Sequence, residues 1–397
     1  MNTKTTNKSL FNIPEDLVYL DGNSLGMLPK GVAEAAARTI QSEWGELLIR
    51  AWNKADWIGL PMKVGDRIAA LIGAPAGSVA TGDTLSIKVY QALAAALKMR
   101  PGRKVILSDK GNFPSDLYMA QGLLKTLDRD YRLETPEPED VFEHIDEDVA
   151  VIMLTHVDYR TGRLHDMQAI TQRAHEKGAV VIWDLAHSAG AMALDIEGSN
   201  CEFAVGCTYK YLNGGPGAPA FIYARPDLVT DVEPALAGWL GHAAPFEMST
   251  DYSPAMSTER LRVGTPPIVQ LAILDAALDV WEGVSLHDLR ADTQALSTQF
   301  IEEVEAKCPE LRLASPRDPN ARGSQVSFAF EHSYETVQAL IEHGVVGDFR
   351  APDLMRFGFT PLYLDAADVT KGTDILKRVI KERLWDQPRY QQRNRVT

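Results

Sequence analysis

The chain is poor in several features that would fix its class at once. Its 397 residues hold only three cysteines, Cys201, Cys207 and Cys308. Three thiols close no disulfide framework and their spacing matches no zinc site, so no metal is expected. Two of them lie in or beside a predicted buried strand, where a thiol packs as a small apolar side chain. No run of about 18 apolar residues occurs, so no membrane span is expected. The opening residues, MNTKTTNKSL, lack the apolar core of a secretory signal, and a cytoplasmic protein is the expectation. Lysine and arginine number 40 against 54 acidic residues, and a net charge of −14 repels nucleic acid and anionic lipid. No G-x-G-x-x-G follows a strand and no G-x-x-x-x-G-K-[ST] occurs, which disfavours dinucleotide and P-loop nucleotide sites. No internal repeat is visible. A small-molecule partner remains.

What is present is an ordinary globular balance, 45% hydrophobic and 24% charged, in a length that suits one large domain and a smaller one. The stretch from Ala179 to Gly217 organises the rest. Ala179 to Trp183 is short and β-branched, as a buried parallel strand is. It delivers Asp184 to its carboxyl end, with His187 three residues on. A second run, Phe203 to Cys207, leads into Thr208-Tyr209-Lys210 and a Gly/Pro-rich turn. In open α/β sheets ligands sit outside the carboxyl ends of the strands. An acid and a lysine, each just past a strand, can therefore face one crevice.

That pairing suits pyridoxal phosphate. Its aldehyde needs a lysine amine for a Schiff base, and its ring nitrogen needs a carboxylate to stay protonated. Lys210 and Asp184 are the candidates. Taken singly, Asp184 also reads as a helix cap and Lys210 as a solvated loop cation.

DLAHSAG at 184–190 and TYKYLNGGPG at 208–217 resemble the cofactor segments of the kynureninase family, pyridoxal phosphate enzymes of the aspartate-aminotransferase fold (type I). YLDGNSLG at 19–26, GNFPSDLY at 111–118, YRTG at 159–162, RVGTPP at 262–267 and RFGFTPLY at 356–363 agree with it in order. The resemblance implies an α/β protein with a mostly parallel central sheet, helices on both faces and a smaller α+β domain. We expect an N-terminal arm and helix over residues 1–60, packing with the small domain. A large cofactor domain over 61–283 and the small domain over 284–397 complete the chain. A homodimer with sites completed across the interface is implied too.

Taken in order, residues 1–12 read as a loose arm. Val32, Ala36, Ile40, Trp44 and Leu48 recur at i+4 as one amphipathic helix. Trp57 reads as core, or as an aromatic wall for a substrate ring. The helix Leu85 to Met99 opens with free N–H groups and hydroxyls, either ordinary capping or an anion site. The resemblance assigns Leu85 and Ser86 to the cofactor, at its phosphate. Left to itself, Phe113 reads as core; the resemblance stacks it on the pyridine ring and places Pro114, Ser115 and Asp116 beside it. Thr155 matches a cofactor-contacting position, whereas His156 reads as an incidental loop histidine. Trp239 and Thr265 are implied at the phosphate, reached from a neighbouring subunit. Thr265 stands where animal enzymes that prefer 3-hydroxykynurenine carry asparagine, which favours unmodified L-kynurenine.

Ser285 reads as the cap of a helix to about Lys307, with Asp288 placed as in a capping box. A final helix is expected from Asp368 to Trp385, then a polar tail. Arg356 stands in an otherwise apolar strand. Its planar fork suits a carboxylate clamp, the family's arginine for the substrate α-carboxylate, or an internal salt bridge.

The implied reaction is hydrolysis of L-kynurenine to anthranilate and L-alanine in tryptophan degradation. Lys210 serves as general base, Tyr209 as acid/base at the γ-carbonyl, and His187 as an orienting group. The alternatives are a cysteine desulfurase-like enzyme, for which Cys308 beside Pro309 is a poor nucleophile, and a non-catalytic ligand-binding protein of the same fold.

Overall fold

Short runs of apolar residues with no polar alternation mark strands covered on both faces. In the computed structural model, which describes residues 4–393, every residue of Val149–Thr155 and of Val180–Asp184 is buried. They lie at the centre of a seven-stranded sheet. Its order is Val79–Thr81, Phe221–Ala224, Phe203–Gly206, Val180–Asp184, Val149–Thr155, Val105–Leu107, Arg132–Glu134. The last five run parallel, and Phe221–Ala224 is antiparallel to both its neighbours.

Alternation along each strand feeds two cores. Val181 and Trp183 enter one with Ile152 and Leu154, while Val180 and Ile182 enter the other with Val151 and Met153. The helices Leu85–Met99 and Pro114–Leu127 close the second face through Val89, Leu93, Ala120 and Leu123. Leu60–Ile72, Met167–Lys177 and Ile268–Ala277 close the first. The mostly parallel sheet with helices on both faces is the expected one.

The C-terminal part folds around a four-stranded antiparallel sheet, ordered Asp348–Arg350, Leu354–Gly358, Gln325–Ala329, Arg312–Leu313. Three helices, Leu286–Lys307, Ser333–Glu342 and Ala366–Lys381, accompany it. The last begins earlier than expected because Asp365, not Asp368, is its N-cap, with Asp368 returning the second bond of a capping box. Ser285 does cap its helix, accepting from the Asp288 N–H at 3.2 Å. The Asp288 carboxylate turns instead to Lys4 Nζ at 3.0 Å.

Val18–Tyr19 pairs with Val345–Val346 of the C-terminal part, so the N-terminal arm does meet the small domain. Other N-terminal expectations need correction. The helix that follows, Val32–Arg38, packs against Ile268–Ala277 rather than on the small domain. It does not continue to Leu48 as an α-helix, because Thr39–Leu47 is a π-helix. Wider i→i+5 turns carry residues four apart off a common face. Ile40, Trp44 and Leu48 are accordingly exposed, at 45%, 60% and 58%. Residues 4–12 are docked, not loose: the Lys4 and Thr5 N–H groups donate to Asp292 at 2.8 and 2.9 Å, and Phe11 is buried. The tail forms a short helix, Pro388–Gln391, with Tyr390 buried against Glu342. Residues 1–3 and 394–397 lie outside the described residues.

Trp183 is the largest fully buried side chain, and its Nε1–H donates to Thr171 Oγ1 at 3.1 Å. Replacing it by alanine leaves a cavity directly behind Asp184. Trp183→Ala should cost about 3–5 kcal/mol, read as a lower urea midpoint at unchanged slope.

Candidate active site

Asp184 ends its strand opposite Thr155 of the neighbouring strand, so sheet register fixes both at the carboxyl edge. The Asp184 carboxylate is buried, accepts the Ala186 N–H at 2.8 Å and has Thr155 Oγ1 3.5 Å away. The Thr155 hydroxyl donates to Asn112 Oδ1. Asn112 also donates to Ser108 Oγ at 2.9 Å and accepts the Phe113 N–H at 2.7 Å. One buried amide thus ties two strand-end loops together.

Lys210 reaches the same crevice from the next strand and donates to His187 Nε2 at 3.0 Å. Burial, and then the lysine charge, hold the His187 imidazole well below its usual pKa, so it is the neutral acceptor. Burial raises the pKa of Asp184, and the Lys210 cation opposes that shift. Acid and amine therefore act on each other in one pocket. The Asp116 carboxyl lies against that of Asp184. Burial, and then its like-charged neighbour, push Asp116 well above the carboxylate range. Tyr209 packs its ring 5.7 Å from Lys210 Nζ. The Cys207 thiol beside it and burial hold its phenol above the ordinary value, in the protonated form.

Two helix N-termini meet beside this pocket. The helix Leu85–Met99 has Thr84 at its N-cap and Pro114–Leu127 has Phe113, and neither side chain makes a cap bond. Ser86 Oγ and Ser115 Oγ are hydrogen-bonded at 2.9 Å across the gap. Free N–H groups, positive helix ends and paired hydroxyls together suit a phosphate. Phe113 is 43% exposed and held edge-on by Tyr159 with ring centroids 5.2 Å apart, so one face is free. An amine for the aldehyde, a carboxylate for the ring nitrogen and an anion cradle for the phosphate are all present. The donor set fits pyridoxal phosphate.

Four other candidates have different settings. Arg356 is fully buried and donates to Asp348 through Nε at 2.6 Å and through Nη2, so its fork is already in an internal salt bridge. Trp57 is buried, donating to Glu43 at 2.9 Å and meeting Trp52 edge-on. Trp239 is 39% exposed against Phe246, and Thr265 is exposed. His156 is no loop histidine on the surface. It is buried against Trp183, and burial lowers its pKa to about 3.

Sequence reasoning missed Asn112, Tyr159, Asp348 and Gly26. The first sat inside a motif already quoted, as the polar residue before Phe113. Asp348 carried no such local signal, because cross-strand register alone sets it opposite Arg356. Gly26 donates its N–H to Tyr209 O at 2.8 Å, and a Cβ there would collide with the Lys210 carbonyl. This close approach admits only glycine.

Comparison with known proteins agrees with this geometry. Residues 289–376 match the kynureninase C-terminal domain model, and 68–205 match that of the DegT/DnrJ/EryC1/StrS aminotransferase family. A kynureninase of Burkholderia pseudomallei (strain 1106a) is 46% identical over 394 residues, 98% of this chain and 95% of that protein. One from Pseudomonas fluorescens gives the same figures. Among solved structures, the apo cysteine desulfurase of Thermococcus onnurineus superposes with a TM-score of 0.81 at 19% identity, covering 96% of this chain and 99% of the other. A cystine lyase mutant carrying glycine covalently linked to its pyridoxal phosphate gives 0.79 at 17%, covering 94% and 99%. At such identities these neighbours report the fold, and near full-length identity of 46% reports the family. The chain belongs to the kynureninase family.

Proposed function

We propose that the chain hydrolyses L-kynurenine to anthranilate and L-alanine, with pyridoxal phosphate held between Lys210 and Asp184. The observation that carries this reading is the Lys210 amine and the buried Asp184 carboxylate acting on each other in one crevice. When bound, the cofactor supplies the electron sink that acidifies the substrate Cα–H and weakens its Cβ–Cγ bond.

The chain's own residues divide the remaining work. Asp184 keeps the ring nitrogen protonated, supported by Thr155 and Asp116. The Ser86 and Ser115 hydroxyls and the N–H groups from Leu85 onward hold the phosphate, and Pro114 and Phe113 cover the ring. Lys210 Nζ takes the Cα proton. Neutral His187 accepts a hydrogen bond from that amine and so orients it without competing for the proton. Tyr209, kept protonated, serves the γ-carbonyl oxygen while water adds to the carbonyl carbon. Arg356 takes the substrate α-carboxylate and Trp57 walls the aryl group.

A homodimer completes the site, with Trp239 and Thr265 offered to the partner's phosphate, and Thr265 favours L-kynurenine over its 3-hydroxy form. Exposed Trp44, Ile49, Phe246, Met248 and Met256 support such an apolar interface. A cytoplasmic location is consistent with three free, buried thiols, and no helix among the described residues is long and apolar enough to cross a membrane. A desulfurase reading is not favoured. Burial raises the Cys201 thiol to about 12, the Cys308 thiol to about 11 and the Cys207 thiol as well, so none is a ready nucleophile.

Lys210→Ala should abolish the yellow Schiff-base absorbance and lower fluorescent anthranilate production from L-kynurenine by at least about a thousandfold. Retained colour and turnover would remove the assignment. The Asp116 carboxyl also links stability to pH. Its native pKa is raised, so the folded state holds a proton that the unfolded chain releases. Its contribution to stability is therefore fully present below the usual carboxylate range and is lost as pH rises from there through the raised native value. Cofactor-stripped Asp116→Asn protein should lose less Tm than the parent between pH 4 and 8.

A further inference from the structure

Arg356 lies on the strand Leu354–Gly358, in register with Asp348 of the neighbouring strand, so the two side chains share a face. Both are buried. Asp348 Oδ1 accepts Arg356 Nε at 2.6 Å, while Oδ2 accepts Arg356 Nη2, Ser24 Oγ at 2.6 Å and Arg350 Nη2 at 2.8 Å. The carboxylate is saturated. It binds the guanidinium along its Nε/Nη2 side, which leaves the Nη1/Nη2 end for another ligand. At that end Nη1 donates to Tyr159 O, and Nη2 donates to Ser24 Oγ at 3.1 Å. Of the five N–H groups, one on Nη1 has no acceptor among the described residues, and the one on Ser24 is held by a neutral hydroxyl. A substrate carboxylate offers both a charged acceptor, the stronger kind of hydrogen bond.

Charge points the same way. Asp348 lies between two arginines, and the other acid in the cluster is Asp21. Burial, and then Asp348, push the Asp21 pKa up to about 7. Asp21 is then about half protonated at neutral pH, and the cluster of Asp21, Asp348, Arg350 and Arg356 holds a net charge between 0 and +1, which favours an anionic ligand.

We propose that Asp348 is a positioning residue for the reaction, fixing Arg356 so that its Nη1/Nη2 end faces the substrate α-carboxylate. This inference rests on the reading of Arg356 as the substrate-carboxylate arginine. It also opposes a simpler electrostatic role. If Asp348 only diluted the arginine charge, removing its charge would tighten binding of an anionic substrate. If it positions the fork, removal loosens binding despite the added positive charge.

The test compares L-kynurenine with its α-carboxamide on reconstituted holoenzyme. Asp348→Asn should lower kcat/KM for the acid by about a hundredfold, mostly through KM, while the lower kcat/KM for the amide stays within about threefold. The holoenzyme absorbance should not change. Unchanged or improved kcat/KM for the acid would overturn the proposal, as would equal losses on acid and amide. Should Asp348→Asn fail to fold, Asp348→Glu keeps the charge but displaces the fork, and the same loss of preference for the acid is expected. Retained preference in that variant would overturn the proposal. Arg356→Gln separates the two readings. Lost preference there with retained preference in Asp348→Asn refutes the positioning role alone. Retained preference in Arg356→Gln refutes the arginine assignment and the positioning role with it.

Discussion

The structure depends on a carboxylate buried in a crevice within reach of a lysine. Burying Asp184 raises the free energy of its charged form, and the fold offsets this with an N–H from Ala186 and the Lys210 cation. A cationic ring nitrogen would be a further compensating partner. The parallel sheet makes the arrangement possible, because it delivers Thr155, Asp184 and the Tyr209–Lys210 loop to one edge while both faces stay covered by helices.

Those helices do more than cover the sheet. Two of them begin at the crevice with no side-chain caps, and their N–H groups with the Ser86 and Ser115 hydroxyls suit an anion. A second polar cluster around Arg356 is built by the C-terminal sheet and the N-terminal segment together. Ser24 binds Asp348, and two residues on Gly26 binds the Tyr209 carbonyl. One short segment thus touches both the arginine cluster and the lysine loop.

Much of this was legible in the sequence. Continuous apolar runs marked Val149–Thr155 and Val180–Asp184 as covered strands, and Asp184 and Lys210 stood out through their places just past strands. Arg356 was conspicuous because a charged residue in an apolar strand needs a partner. The partner was not legible, since Asp348 is chosen by cross-strand register, which no local pattern states. The N-terminal helix misled for a similar reason. An i+4 repeat from Val32 to Leu48 implies one buried face, but the π-helix at Thr39–Leu47 rotates the later apolar residues into the open. Docking of residues 4–12 depends on Asp292, far along the chain, and was equally invisible.

The central claim is electrostatic, that Asp184 keeps the cofactor ring nitrogen protonated inside this crevice. It is tested most directly by reconstituting the protein with pyridoxal phosphate labelled with 15N in the ring and recording the nitrogen chemical shift from pH 6 to 9. A pyridinium shift unchanged across that range, and lost in Asp184→Asn, is the predicted result. A neutral pyridine shift in the unaltered protein would contradict it.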